Sequence, residues 1–140
     1  MITYVDTSTL LKVIIDEEGS DRVDVIWQTA DAVVSSALIV VEARAALAAA
    51  DRAGRLTTRQ HTAAKRELDL LVGDLHVVEV AAGLIATAAE LAELERLRGY
   101  DAVHLASALM AGASVFSSAD VALCDAAARR GLHVANPLMT

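Results

Sequence analysis

Short apolar runs alternate along the chain with longer stretches whose apolar positions recur at helical spacing. Residues 2–6 (ITYVD), 32–35 (AVVS), 76–80 (HVVEV), 114–117 (SVFS) and 132–135 (LHVA) predict five strands. The intervening stretches predict helices over 8–16, 21–29, 82–97, 101–111 and 120–130. Ser36 is placed to cap a long alanine-rich helix that runs through Ala53 and ends at Gly54, and Thr57 or Thr58 to start another reaching Val72. Gly99, Gly112 and Gly131 interrupt or close the later helices. Strands alternating with helices argue for a parallel sheet covered on both faces, with ligands gathering at the carboxyl ends of its strands. No Pro- or Ser-rich linker, repeat or low-complexity tract divides the chain, so one domain over residues 1–140 is expected.

Composition narrows the picture. Hydrophobic residues make up 55% of the 140 positions but aromatic ones only 3%, so the core must be built from Ala, Val, Leu and Ile. A chain of this length buries a sizeable core without staples. The one cysteine, Cys124, cannot close an internal disulfide, which suits a reducing cytoplasm. Set in an alanine-rich stretch, it reads as a small buried side chain rather than a reactive thiol. The N-terminus has no basic start and the apolar runs are too short to cross a bilayer, so neither a signal peptide nor a membrane span is expected. The net charge of −7 counts against a general nucleic-acid binder. A divalent cation bound locally would offset it. Arg44, Arg52, Arg55, Arg59, Lys65 and Arg66 fall in one stretch, which reads equally as a phosphate-contacting surface and as solvated helix faces.

Four acidic residues are candidates for chemistry. Asp6 ends the first strand; its alternative role is a helix cap, which Ser8 could fill instead. Glu42, in SALIVVEARAAL, has apolar neighbours nearly all round, and Arg44 two positions away faces elsewhere on the helix. Asp101 opens the helix YDAVHLASAL, and Asp120 follows FSSA at the start of another. Each could be only a cap favoured by the helix dipole. Together they form the oxygen donor set that hard cations such as Mg²⁺ or Mn²⁺ prefer, and clustered carboxylates repel one another without such an ion. Lower weight falls on four neighbours. His104, one turn after Asp101, reads as a buried hydrogen-bonded histidine rather than a general base. Asp125 reads as solvated, Lys12 as a surface lysine, and Trp27 as packed in a core or dimer seam.

These residues carry a resemblance. YVDTSTLLK at 4–12, SSALIVVEARAAL at 35–47, RGYDAVHLASAL at 98–109 and SSADVALCDAAARRGLHVANP at 117–137 resemble, in order, the acidic motifs of PIN-domain proteins, especially VapC toxins. The resemblance implies an α/β, PIN-like three-layer domain with a five-stranded parallel sheet flanked by helices. It also implies a Mg²⁺- or Mn²⁺-dependent endoribonuclease that cleaves RNA (tRNA or rRNA) and inhibits translation as the toxin of a type II toxin–antitoxin pair. Carried over, Asp6 and Asp101 are direct metal ligands, and Glu42 and Asp120 bind the metal directly, through water or through a second ion. Ser118 supports the pocket, and Thr7 and Ser8 orient Asp6. A VapB-like antitoxin, a homodimer and a cytoplasmic location are implied as well. The nearest rivals are a PIN-fold nuclease acting on DNA or structured nucleic acid, and a non-catalytic binding module. A phosphatase of the haloacid-dehalogenase type requires an acid two residues after Asp6, where Ser8 stands. A phospho-receiver domain would need an acidic pair and a late lysine that are not in place.

Overall fold

Five parallel strands form one sheet in the order β3-β2-β1-β4-β5 in the computed structural model, which describes residues 1–139. The strands are β1 (Ile2–Val5), β2 (Ala32–Ser36), β3 (His76–Val78), β4 (Val115–Ser117) and β5 (His133–Ala135). The helices are α1 (Thr7–Ile14), α2 (Ser20–Thr29), α3 (Ile39–Arg52), α4 (Thr58–Asp74), α5 (Ala82–Leu94), α6 (Gly99–Met110) and α7 (Val121–Arg129). β1 is central, pairing with β2 on one side and β4 on the other. Because the chain steps outward to β2 and β3 and then returns to β4 and β5 on the far side, the winding reverses at β1. Such a reversal opens a crevice at the carboxyl ends of the strands.

β1 reads ITYV because both of its faces are covered: Thr3, Tyr4 and Val5 are fully buried. Successive side chains point to opposite faces, so Tyr4 and Val5 enter two different cores. Tyr4 stacks on Phe116, with ring centroids 5.4 Å apart, and packs with Leu84, Leu105, Leu123 and a run of alanines from α5, α6 and α7. Val5 packs with Leu10, Ile39, Ala43 and Leu68 from α1, α3 and α4. The expected three-layer α/β arrangement is therefore present. α6 is buried continuously from Ala102 to Ala108, and its small side chains let it lie close against the sheet.

Local differences from the sequence reading have physical causes. Ser36 does not cap α3: it stays in β2, paired with Val78, and its Oγ accepts the Leu38 amide in the turn that precedes the helix. Leu38 takes the cap position with no side-chain bond. Gly99 does not interrupt a helix but is the first residue of α6, which places Asp101 inside the first turn. β3 is shorter than expected, ending at Val78. Thr57 is the cap of α4, in a reciprocal box with Gln60. Gly54, just past α3, sits at φ +76°, a conformation that favours glycine. Lys12, expected at the surface, is 8% exposed and bonded to Glu17 across the α1–α2 turn. Trp27 is partly buried against the Val5 core. No helix among the described residues is long and apolar enough to cross a membrane.

Phe116 joins the central strands to the aromatic stack, so Phe116→Ala should lower stability by about 3–5 kcal/mol. Urea unfolding monitored by circular dichroism measures it, and a loss under about 1 kcal/mol would contradict the packing described.

Candidate active site

Each of the four acids lies at the carboxyl end of the sheet. Asp6 directly follows β1, Glu42 is in the first turn of α3 after β2, Asp101 is in the first turn of α6, and Asp120 is three residues beyond β4. Asp6 is 5% exposed. It is itself the cap of α1, its Oδ1 accepting the Thr9 amide at 3.1 Å. Ser8 therefore does not replace it. Instead Ser8 Oγ donates to the same Oδ1 at 2.6 Å, while Ser118 Oγ donates to Oδ2 at 2.6 Å. Ser118 also accepts the Asp120 amide at 3.0 Å, so one hydroxyl ties the first acid to the backbone of the last. Ser8 Oγ in turn accepts the Ala119 amide, closing the loop after β4 onto α1.

Thr7 does not orient Asp6. Its hydroxyl reaches across to Glu42 Oε1 at 2.8 Å. The same Oε1 lies 2.6 Å from His104 Nε2, and His104 Nδ1 lies 2.7 Å from the Tyr4 hydroxyl. His104 is 2% exposed, the buried hydrogen-bonded histidine anticipated from its helical spacing. Burial drives the Tyr4 phenol far above its ordinary range, so its hydroxyl keeps its proton beside His104 Nδ1. Glu42 is anchored by one oxygen from two sides.

Asp101 and Asp120 meet a single guanidinium. Arg98 Nε lies 3.1 Å from Asp101 Oδ2 and its Nη2 3.4 Å from Asp120 Oδ2. Asp120 also caps α7, its Oδ1 accepting the Leu123 amide. Asp6, Ser118, Asp120, Arg98 and Asp101 thus form one connected chain of contacts, with Glu42 held beside it by Thr7 and His104. Asp125 is exposed and outside this set. Arg98, Tyr4 and the anchoring role of His104 were not visible as site features in the sequence. The three-residue step from Arg98 to Asp101 was the one available signal.

The electrostatics differ between the acids. Burial raises the Asp6 carboxyl above its usual range, against the opposing pull of the nearby His104 and of the bonds from Ser118, Ser8 and Thr9. Half-burial acts the same way on Glu42, but the His104 and Thr7 bonds and the charge of Arg98 outweigh it and hold the carboxyl low. Burial, with the charges of Asp6, Asp120 and Asp125, pushes the Cys124 thiol up to about 11, in keeping with an inert side chain. An all-carboxylate donor set matches a hard divalent cation, and a buried carboxylate whose proton is held tightly is one that gains from such a partner. Among the described residues, no group of three acid, histidine or cysteine side chains is arranged to hold an ion as it stands. The Arg98 bridge spans two of the four.

A model of the PIN domain family matches residues 3–129. Ribonuclease VapC49 of Mycobacterium tuberculosis (strain ATCC 25618 / H37Rv) is 40% identical over 111 residues, 79% of this chain and 77% of that one. Among solved structures, Mycobacterium tuberculosis VapC20, described as a sarcin-ricin loop cleaving toxin, has a TM-score of 0.59 at 21% identity, covering 81% of this chain and 86% of that one. A toxin–antitoxin complex from Klebsiella pneumoniae has a TM-score of 0.66 at 15% identity, covering 96% and 97%. The chain belongs to the PIN-domain family. Within that family its likeness is to the VapC ribonucleases, which makes it an endoribonuclease of the toxin class, with the divalent-metal dependence general to such enzymes.

The native state binds the Asp6 carboxyl proton more tightly than the unfolded chain, so the associated stability is present at low pH and is lost as pH rises through the native value. With divalent ions chelated, Asp6→Asn should therefore be more stable than wild type near pH 8, the gap closing toward about pH 4. Thermal unfolding across that range tests it; a variant less stable than wild type at pH 8 would contradict the assignment.

Proposed function

We propose that Asp6, Glu42, Asp101 and Asp120 are the acidic residues through which this endoribonuclease holds Mg²⁺ or Mn²⁺ and hydrolyses RNA. The observation that carries the reading is the Ser118 hydroxyl, which bonds the Asp6 carboxylate and the Asp120 amide at once and so fixes acids from the ends of two strands against each other. When bound, the cation supplies a charge that orients the phosphate and activates water. The chain's own groups do the rest. Ser8, Thr9 and Ser118 fix the direction of both Asp6 oxygens. Thr7 and His104 saturate Glu42 Oε1, which leaves Oε2 to accept a hydrogen bond from the attacking water. Asp101 and Asp120, both in contact with Arg98, are 18% and 34% exposed, where a phosphodiester can approach. Hydrolysis adds water across the P–O bond and leaves a 5′-phosphate and a 3′-hydroxyl.

The substrate is a structured cellular RNA, tRNA or rRNA, so that cleavage stops translation in the cytoplasm; the fold shared with a sarcin-ricin loop cleaving toxin supports this. A VapB-like antitoxin neutralises the enzyme by offering a basic segment to the acidic crevice. The fold shared with a toxin–antitoxin complex supports that partner. A homodimer is supported by the apolar surface left open on α2, where the 59%-exposed Val25 lines a groove with Ile26 and Val121.

Asp101→Asn should keep its fold and lose cleavage by more than about 100-fold, since even residues supporting a metal ligand cost 10- to 100-fold. Sequencing of RNA ends after expression of wild type and variant, beside a parallel assay on DNA of matching sequence, tests both chemistry and substrate. Full activity in the variant, or cleavage of DNA alone, would overturn the reading.

A further inference from the structure

Arg98 holds an unusual position. Among the described residues it is the only lysine or arginine that contacts any of the four acids, and it contacts two of them. Its side chain is 80% exposed while Asp101 and Asp120 are 18% and 34% exposed, so it lies outside the two carboxylates, on their solvent side. Its backbone is extended at the cap position of α6, and its side chain makes no cap bond. The guanidinium is thus tied down by the two carboxylates and not by the fold.

We infer that Arg98 is an exchangeable clamp: its fork and a divalent cation compete for Asp101 and Asp120, and the released guanidinium binds a phosphate of the RNA. The inference rests on the reading above that these two acids hold the cation. Three observations carry it. The two contacts use different nitrogens on different carboxylates, a spanning geometry that a fork can make and a point charge cannot. Solvent-exposed ion pairs are weak, so a cation held by several oxygens displaces them readily. A guanidinium that has lost carboxylate partners accepts phosphate in the same fork geometry. In a chain of net charge −7, the incoming phosphate needs a positive group of this kind at the crevice.

The test uses Mn²⁺ binding by calorimetry without RNA, and binding of a short single-stranded RNA in Ca²⁺ across a salt series, with the RNA verified intact after each titration. Arg98→Lys keeps the charge but cannot span both acids, and should bind Mn²⁺ about two- to fivefold tighter than wild type, the range expected from releasing exposed pairs. Arg98→Gln should bind Mn²⁺ at least as tightly, and should reduce the slope of log affinity against log salt by about 0.7, one phosphate contact on a single strand. Wild-type Mn²⁺ affinity in Arg98→Lys would mean that Arg98 acts only as background charge, and would overturn the clamp. An unchanged salt slope in Arg98→Gln would overturn the phosphate contact. Asp101→Asn is the control: wild-type Mn²⁺ affinity in that variant would overturn the metal assignment itself and the clamp with it, whereas weakened binding there beside an unchanged Arg98→Lys defeats the clamp alone.

Discussion

A carboxylate buried at the end of the central strand, with every oxygen held by a neighbour, is the constraint around which this molecule is arranged. Asp6 is nearly inaccessible, and ionised carboxylates are costly in such places unless they are bonded and paired. Three donors meet the cost in part: the Thr9 amide from the first turn of α1, the Ser8 hydroxyl two residues on, and the Ser118 hydroxyl from beyond β4. The last is the most telling, because it makes the position of β4 relative to β1 a condition for satisfying Asp6. The parallel register of Val5 with Ser117 brings Ser118 to that point. The same hydroxyl then sets the entry to α7 through the Asp120 amide. Fold and site are joined through this bond.

The second acidic anchor is built differently. Glu42 sits on a helix from the other side of the crevice, and its partner His104 belongs to the most deeply buried helix of the opposite layer. His104 is in turn held by Tyr4, whose ring stacks on Phe116 in the core. The orientation of one carboxylate at the surface is therefore referred back to the aromatic packing at the centre of the sheet. Core packing and site geometry draw on the same side chains, which is why the substitution of a core aromatic is expected to be felt at both.

Much of this was legible in the chain itself. Apolar runs of four or five residues located the strands, the alternation with helices indicated a parallel sheet, and the four acids stood out against strand ends and apolar surroundings. The ordering of helices by glycine also read correctly at Gly54 and Gly131, both at positive φ. What could not be read were relations across space. Thr7 neighbours Asp6 in sequence yet serves Glu42, because the first turn of a helix sends adjacent side chains in different directions. Ser36 resembles a cap, but pairing with β3 holds it in the sheet. Arg98 and Asp120 are 22 residues apart, and only the packing of α6 beside α7 makes them partners. Lys12 reads as solvent-facing from its charge, and only the fold of the turn that carries Glu17 explains its burial.

On the proposed function, Asp6 and at least one acid from a separate element share a divalent cation. Anomalous diffraction from crystals equilibrated with saturating Mn²⁺ tests it without reference to activity. The account predicts a manganese peak in the crevice at the carboxyl end of β1, bordered by oxygens of Asp6 and of Asp101 or Asp120. Manganese bound only at other surfaces, or no peak in that crevice at saturation, would contradict it.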